Sequence, residues 1–227
     1  MNNHLRTSSY TARLGAWLIA AACAAAPLTA SAEDPPAGAA PVVEASARLA
    51  LGASLPMTDA KMLNVDDKQV SIADIKGEKG TLVIFTCNHC PFVKMWEGRI
   101  AEIGNAAKAQ GVGVIAINAN DPATKPEDGV ADMKARAAEL SLSFPYVVDA
   151  GSKVARGFGA TRTPEVFLFV ADGKIVYWGA VDDSADDPAA VAQHFLKDAL
   201  TAVSAGAPVA VSETKAVGCS IKFYPQM

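Results

Sequence analysis

The sequence predicts an α/β fold built on a central mixed sheet with helices on both faces. Two observations predict it. Short apolar runs rich in β-branched residues alternate with helix-period segments as far as Phe158, the pattern of strands joined by crossover helices. After Thr163-Pro164 the alternation stops, and two strands follow one another through a tight turn before a closing amphipathic helix. The first part supplies parallel strands and the second antiparallel ones.

The N-terminus is set aside first. Arg6 and Arg13 precede any acidic residue, the first being Glu33. An apolar run from Leu14 to Ala26 follows, and then Ala30-Ser31-Ala32, a small-x-small site. This is the layout of a secretory signal peptide over residues 1–32, with cleavage expected after Ala32. A membrane anchor would need roughly 20 apolar residues, and Pro27 interrupts this shorter run. A lipoprotein site at Cys23 would call for Leu three positions upstream, where the chain has Ala20.

The whole chain has 227 residues and net charge −4. Removal of residues 1–32 takes away two Arg and no acid, leaving 195 residues at −6. That is room for one well-buried domain. An acidic balance argues against a nucleic-acid partner, which calls for a basic surface. No later stretch is apolar enough to span a bilayer, so no stable membrane insertion is expected after cleavage. The expected location is outside the cytoplasm, the periplasm in a Gram-negative cell.

Residues 33–48 are rich in Ala and Pro and read as a flexible leader. The domain is expected over 49–211, followed by a tail, 212–227, that carries Cys219. Met62 to Val70 suggests a small hairpin around Asp66-Asp67. Thr81 to Phe85 reads as a buried central strand, and Val112 to Asn118 as a second. Between them Val93, Trp96, Ile100 and Ile103 recur at helical spacing up to about Gln110, where Gly111 can end the helix. A further helix is expected from Pro126 to about Leu140, with Pro near its start. A strand at Tyr146-Val147-Val148 and one or two helical turns from Ser152 to Phe158 follow. Glu165–Val170 and Ile175–Val181 are strands joined by Ala171-Asp172-Gly173-Lys174, and Pro188 to about Val203 is the last helix.

The chemistry centres on Thr86-Cys87-Asn88-His89-Cys90-Pro91. A strand feeding a helix puts this loop at the carboxyl edge of the sheet, where ligands usually bind. The first helical turn offers unpaired N–H groups and the positive end of the dipole, which favour a thiolate. A two-residue spacer lets one sulfur resolve a mixed disulfide made by the other. Cys87, at the loop end, is expected to be the exposed attacking thiolate, and Cys90, inside the helix, the resolving thiol. His89 between them would support the thiolate, against the bland alternative of a solvated imidazole. A tetrahedral zinc site needs two further ligands, and no second close pair exists. No resident cofactor is expected beyond a redox-active disulfide.

The strand Leu82–Phe85, the C-x-x-C and the later Thr163-Pro164-Glu165 together resemble the thioredoxin superfamily. Phe85 to Val93, Ala116 to Pro122, Arg162 to Phe169 and Glu213 to Lys222 resemble, more narrowly, its redoxin (AhpC/TSA-like, peroxiredoxin-like) branch, in an exported C-x-x-C form. The resemblance runs over roughly Leu49 to Lys222. It implies a thioredoxin-like three-layer fold and disulfide exchange with protein thiols, with a membrane electron donor as a further candidate partner. It also implies a cis-Pro164 facing the cysteine pair, with Thr163 presenting its backbone to a substrate cysteine. Two positions depart from the family pattern. Thr81 stands where thioredoxins carry a buried acid, and Glu165 is the candidate replacement, with a salt-bridged Glu as the alternative. For a peroxiredoxin site aligned on Cys90, Cys87 and Val83 stand where Thr and Pro are needed, and Arg162 is only a loose match to an activating Arg.

Two other readings stay open. One is a thiol-dependent peroxidase of the AhpC/TSA type. The other is a Cu(I)-handling module using Cys87, Cys90, His89 and Cys219, since soft thiolates suit Cu(I). Cys219 itself is a candidate third thiol, against the bland reading of a small buried hydrophobe. Trp96, Trp178 and His194 read as packing or surface residues. The pairs Asp182-Asp183 and Asp186-Asp187 read as a solvated loop rather than a calcium site.

Overall fold

The computed structural model describes residues 47–226. The expected signal peptide, Cys23 and nearly all of the leader lie outside these residues. Seven strands form one sheet in the order β2-β1-β5-β4-β3-β7-β8. They are β1 (Met62–Asn64), β2 (Gln69–Val70), β3 (Gly80–Phe85), β4 (Val112–Asn118), β5 (Tyr146–Val148), β7 (Glu165–Val170) and β8 (Ile175–Gly179). The three central strands β3, β4 and β5 are parallel, whereas β7, β8, β1 and β2 run antiparallel to their neighbours. A two-stranded ribbon, β6 (Arg162–Thr163) with β9 (Cys219–Ser220), stands apart from the main sheet.

Period-two alternation sorts the strand side chains into two cores. Leu82, Ile84, Val114, Ala116, Val166 and Leu168 face one layer. That layer receives α1 (Pro91–Ala109), α2 (Val130–Glu139) and α4 (Phe195–Ser204) through Trp96, Ile100, Met133, Leu196 and Leu200. Val83, Phe85, Ile115, Ile117, Phe167 and Phe169 face the other, which α3 (Lys153–Phe158) covers through Val154, Ala155 and Phe158. Helices therefore cover both faces. Every residue of β3 and β4 is buried, which explains why their sequences read as continuous apolar runs.

The end of β3 is anchored where the site begins. Phe85 meets Phe158 and Phe167 edge-on, at centroid separations of 5.3 and 5.7 Å. Each such pair adds about 1 kcal/mol beyond area burial. Thr86 then donates its N–H to Ile117 O at 2.9 Å, so the chain enters the cysteine loop from a fixed point.

Two expected helix starts shift. The helix expected from Pro126 is a 3₁₀ turn, Pro126–Asp128, followed by α2 only from Val130, because Gly129 is extended. The last helix begins at Phe195 rather than Pro188. Asp183 accepts the N–H groups of Ala192 and Gln193 and draws that stretch off the helical path. Residues 212–222 are packed against the domain. Trp178 bridges Glu213, and Thr214 Oγ1 accepts the Ala180 N–H at 2.9 Å and contacts the Tyr177 hydroxyl at the same distance. The Asp182 loop also departs from the solvated reading. Asp182 is buried and accepts Trp96 Nε1 at 2.7 Å and Arg99 Nη1 at 2.5 Å.

Candidate active site

Cys90 is the N-cap residue of α1, with extended backbone, and Pro91 opens the helix where its missing N–H leaves nothing unpaired. The expected contrast in exposure is absent: Cys87 is 2% exposed and Cys90 0%. The three cysteines among the described residues are free thiols, and Cys87, Cys90, Val93 and Cys219 pack as one small cluster.

Thr163 joins both sulfurs. Its hydroxyl lies 3.2 Å from Cys87 Sγ, and its carbonyl accepts Cys90 Sγ at 3.2 Å. The Thr163–Pro164 peptide is cis. Cys219 sits opposite Thr163 in the β6–β9 ribbon, and Arg162 is opposite Ser220. The tail strand thus lies along the backbone edge next to the thiol pair. Arg162 donates to Gly218 O at 2.8 Å and holds the tail rather than a thiol.

The two motif thiols are hydrogen-bonded to each other, and that contact moves them in opposite directions. Cys90 lies well below the usual thiol range because Cys87 donates to it, with further support from the Cys219 thiol and the Val93 N–H of the first helical turn. Cys87 is pushed up by that same donation, by burial and by the negative charge of Asp128, against the Thr163 hydroxyl. Burial, followed by contact with Cys90, pushes Cys219 up to about 11. The hydrogen bond from Cys87 therefore favours the thiolate on Cys90, whereas loop position alone pointed to Cys87.

Asp128 is the residue that sequence reasoning missed. It is buried, and its Oδ1 accepts the backbone N–H of Asn88 at 2.6 Å and of His89 at 3.3 Å. Its Oδ2 meets His89 Nδ1 at 2.6 Å and Asn120 Nδ2 at 2.8 Å. Asn88 is pinned further by Glu127 O and by the buried Tyr146 hydroxyl at 3.0 Å. One carboxylate thus fixes the two residues between the cysteines. The same network reaches the tail, because Asn120 Oδ1 accepts the Lys222 N–H at 2.7 Å.

Ligand atoms of Cys87, His89 and Asp128 lie within 4.8 Å of one another, a geometry that could hold a metal ion. Both Asp128 oxygens are already engaged by nitrogen donors, which suits a hydrogen-bond hub better than a cation site. A cavity of about 30 Å³, water-sized, lies beside Cys87 and is lined by Val93, Glu97, Arg136 and Tyr146.

Glu165 is fully buried on β7. One oxygen pairs with Arg48 at 2.9 Å, and the other accepts the N–H groups of Thr161 at 2.9 Å and Arg162 at 3.1 Å. Its side chain lies on the Phe85–Phe167 face, where it fixes the approach to Thr163. Thr81 is buried in the sheet and offers no acid. Trp178 is half-buried under the Arg48 guanidinium, 4.0 Å from its ring centroid. His194, just before α4, lines a groove away from the thiols.

The family model for redoxin matches residues 50–194. The chain belongs to the redoxin family. Its similarity to the thiol-disulfide oxidoreductase ResA of Halalkalibacterium halodurans is 27% identity over 113 residues, 50% of this chain and 60% of that one. The match thus spans less than two thirds of that relative. An uncharacterised conserved protein from Geobacillus kaustophilus is 36% identical with a TM-score of 0.74, covering 80% of this redoxin and 96% of that chain. A thioredoxin-like protein in its oxidised form superimposes with a TM-score of 0.53 at 18% identity, covering 69% and 97%. The fold of this redoxin is thioredoxin-like: a mixed sheet between helical layers.

Proposed function

We propose that this redoxin is an exported thiol–disulfide oxidoreductase that exchanges disulfides with protein thiols through Cys87 and Cys90. The observation that carries the reading is the pair of thiols at the start of α1, both touching Thr163 beside cis-Pro164. Similarity to ResA, named a thiol-disulfide oxidoreductase, supports the same reaction class.

In the reducing direction, Cys87 Sγ attacks one sulfur of a substrate disulfide while its proton passes to the Cys90 thiolate. The substrate S–S bond breaks, and the leaving sulfur departs as a thiolate that takes up a proton. Cys90 gives the proton it received to that first leaving sulfur and, as a thiolate, attacks the Cys87 sulfur of the mixed disulfide; the second substrate sulfur leaves as a thiolate that is protonated by solvent. The products are a substrate dithiol and the Cys87–Cys90 disulfide; the reverse sequence oxidises a substrate. Asp128 holds the Asn88-His89 spacer between the two cysteines through the spacer's backbone N–H groups. The partners are protein thiols and disulfides, with an electron donor at the membrane restoring the dithiol. Export rests on the signal-peptide pattern of residues 1–32.

The peroxidase reading is the weaker one. Val83 is a buried strand residue, Cys87 occupies the position that would need Thr, and Arg162 is committed to Gly218. The test compares insulin-disulfide reduction with peroxide consumption for the wild type, Cys87→Ser and Cys90→Ser. Reduction that either substitution abolishes supports the proposal. Rapid peroxide consumption without disulfide reduction would replace it by the peroxidase.

A further inference from the structure

The tail strand β9 is the feature that the two-thiol reaction leaves unused. It pairs antiparallel with β6, and its register sets Cys219 opposite Thr163, the residue whose carbonyl accepts Cys90 Sγ. The ribbon is held at both ends. Arg162 donates to Gly218 O at 2.8 Å, Ile221 donates to Thr161 O at 2.9 Å, and Asp121 donates to Lys222 O at 2.7 Å. A Cβ on residue 218 would lie 2.2 Å from Thr163 O, so glycine lets the tail approach this closely. The result is a third thiol, half-buried, packed in one cluster with Cys90 and Cys87.

We propose that Cys219 is a third redox thiol of this redoxin: it takes the disulfide from Cys87–Cys90 by internal exchange and holds it as Cys90–Cys219, with β9 acting as a built-in substrate strand. This rests on the function proposed above, which supplies the Cys87–Cys90 disulfide. Cys219, as thiolate, attacks Cys90 Sγ. The Cys90–Cys219 bond forms, the Cys87–Cys90 bond breaks, and Cys87 leaves with the electron pair and takes the proton that Cys219 gave up. No electron enters or leaves, so the step needs no further oxidant. Cys90 is the sulfur that changes partner because it lies in contact with both Cys87 and Cys219. The Cys87 environment favours the protonated thiol that the step produces. The strand is seated in advance, so the attack is intramolecular and carries the advantage of a preoriented reaction.

The experiment uses the full chain oxidised with glutathione disulfide, alkylated at low pH and digested with trypsin. Cleavage puts Cys87 and Cys90 in one peptide, residues 80–94, and Cys219 in another, residues 216–222. The expected result is a cross-linked pair of these peptides in the wild type beside the internal Cys87–Cys90 form. In Cys87→Ser the cross-linked pair becomes the main oxidised product, formed at least about tenfold faster than in denaturant, where preorientation is lost. A Cys87–Cys90 disulfide with Cys219 alkylated throughout, in wild type and Cys87→Ser alike, overturns the inference and leaves the oxidoreductase standing. Neither disulfide forming in the wild type overturns both. The wild-type peptide map needs no substitution, so a variant that misfolds does not remove the test.

Discussion

Replacing Asp128 with Asn tests the electrostatic layout of the site at its least legible residue. Ligand atoms of Asp128 and Cys87 lie within 4.8 Å. Across that distance, with an effective dielectric of about 20, a unit charge is worth about 3 kcal/mol. At about 1.4 kcal/mol per pK unit, losing the charge lowers the Cys87 thiol by roughly two units. The assay is the pH midpoint of iodoacetamide alkylation, read on the 80–94 peptide, in a Cys90→Ser, Cys219→Ser background, where Cys87 is the only thiol among the described residues. The substitution also sets an amide N–H₂ against donors now satisfied by the carboxylate, at a cost of about 3 kcal/mol and roughly 10 °C in Tm. A midpoint that stays put or rises would refute the assignment of Asp128 as the charge holding Cys87 protonated.

Three further outcomes follow from named contacts. Arg48→Ala leaves the fully buried Glu165 without its cation; because Arg48 is about a third exposed, solvent screening keeps the loss near about 2 kcal/mol, read by guanidinium unfolding. Adding Glu165→Gln to that variant should recover part of the loss. Gly218→Ala pushes β9 off Thr163 and speeds alkylation of Cys219 by about tenfold, the factor that 1.4 kcal/mol of lost pairing gives. Asp149, which accepts the N–H groups of Val154 and Ala155 at the start of α3, is raised above 3.8 because burial outweighs those bonds. A raised folded value means its contribution is present below the unfolded value and is lost as pH rises through the folded one. Asp149→Asn should therefore flatten the fall in stability just above pH 4, seen as a denaturation midpoint less dependent on pH.

The frame of the fold is legible in the sequence because β3 and β4 are buried on both faces and so read as unbroken apolar runs. The C-x-x-C, Thr163-Pro164 and Cys219 are legible as chemistry-bearing residues, and the structure brings all of them to one point. Their division of labour is not. Exposure was expected to separate Cys87 from Cys90, but both are covered, and the helix cap falls on Cys90. Asp128 reads in sequence as an ordinary acid in the first turn of a helix. Its role depends on the extended Gly129, which ends the 3₁₀ turn and leaves the carboxylate beside the cysteine loop. Glu165 likewise reads as a candidate proton acceptor until Arg48, 117 positions away, is seen to hold it. Such long-range pairings leave no periodic trace along the chain.

The central claim is that Cys87 and Cys90 form one exchangeable disulfide. Equilibrating the full-length protein across glutathione redox buffers, then alkylating and mapping the 80–94 peptide, measures this directly. The account predicts one reversible two-electron transition inside that peptide, within the range of about −120 to −270 mV spanned by thioredoxin-fold oxidoreductases. Cys87 and Cys90 remaining alkylated as thiols across the whole series would contradict it.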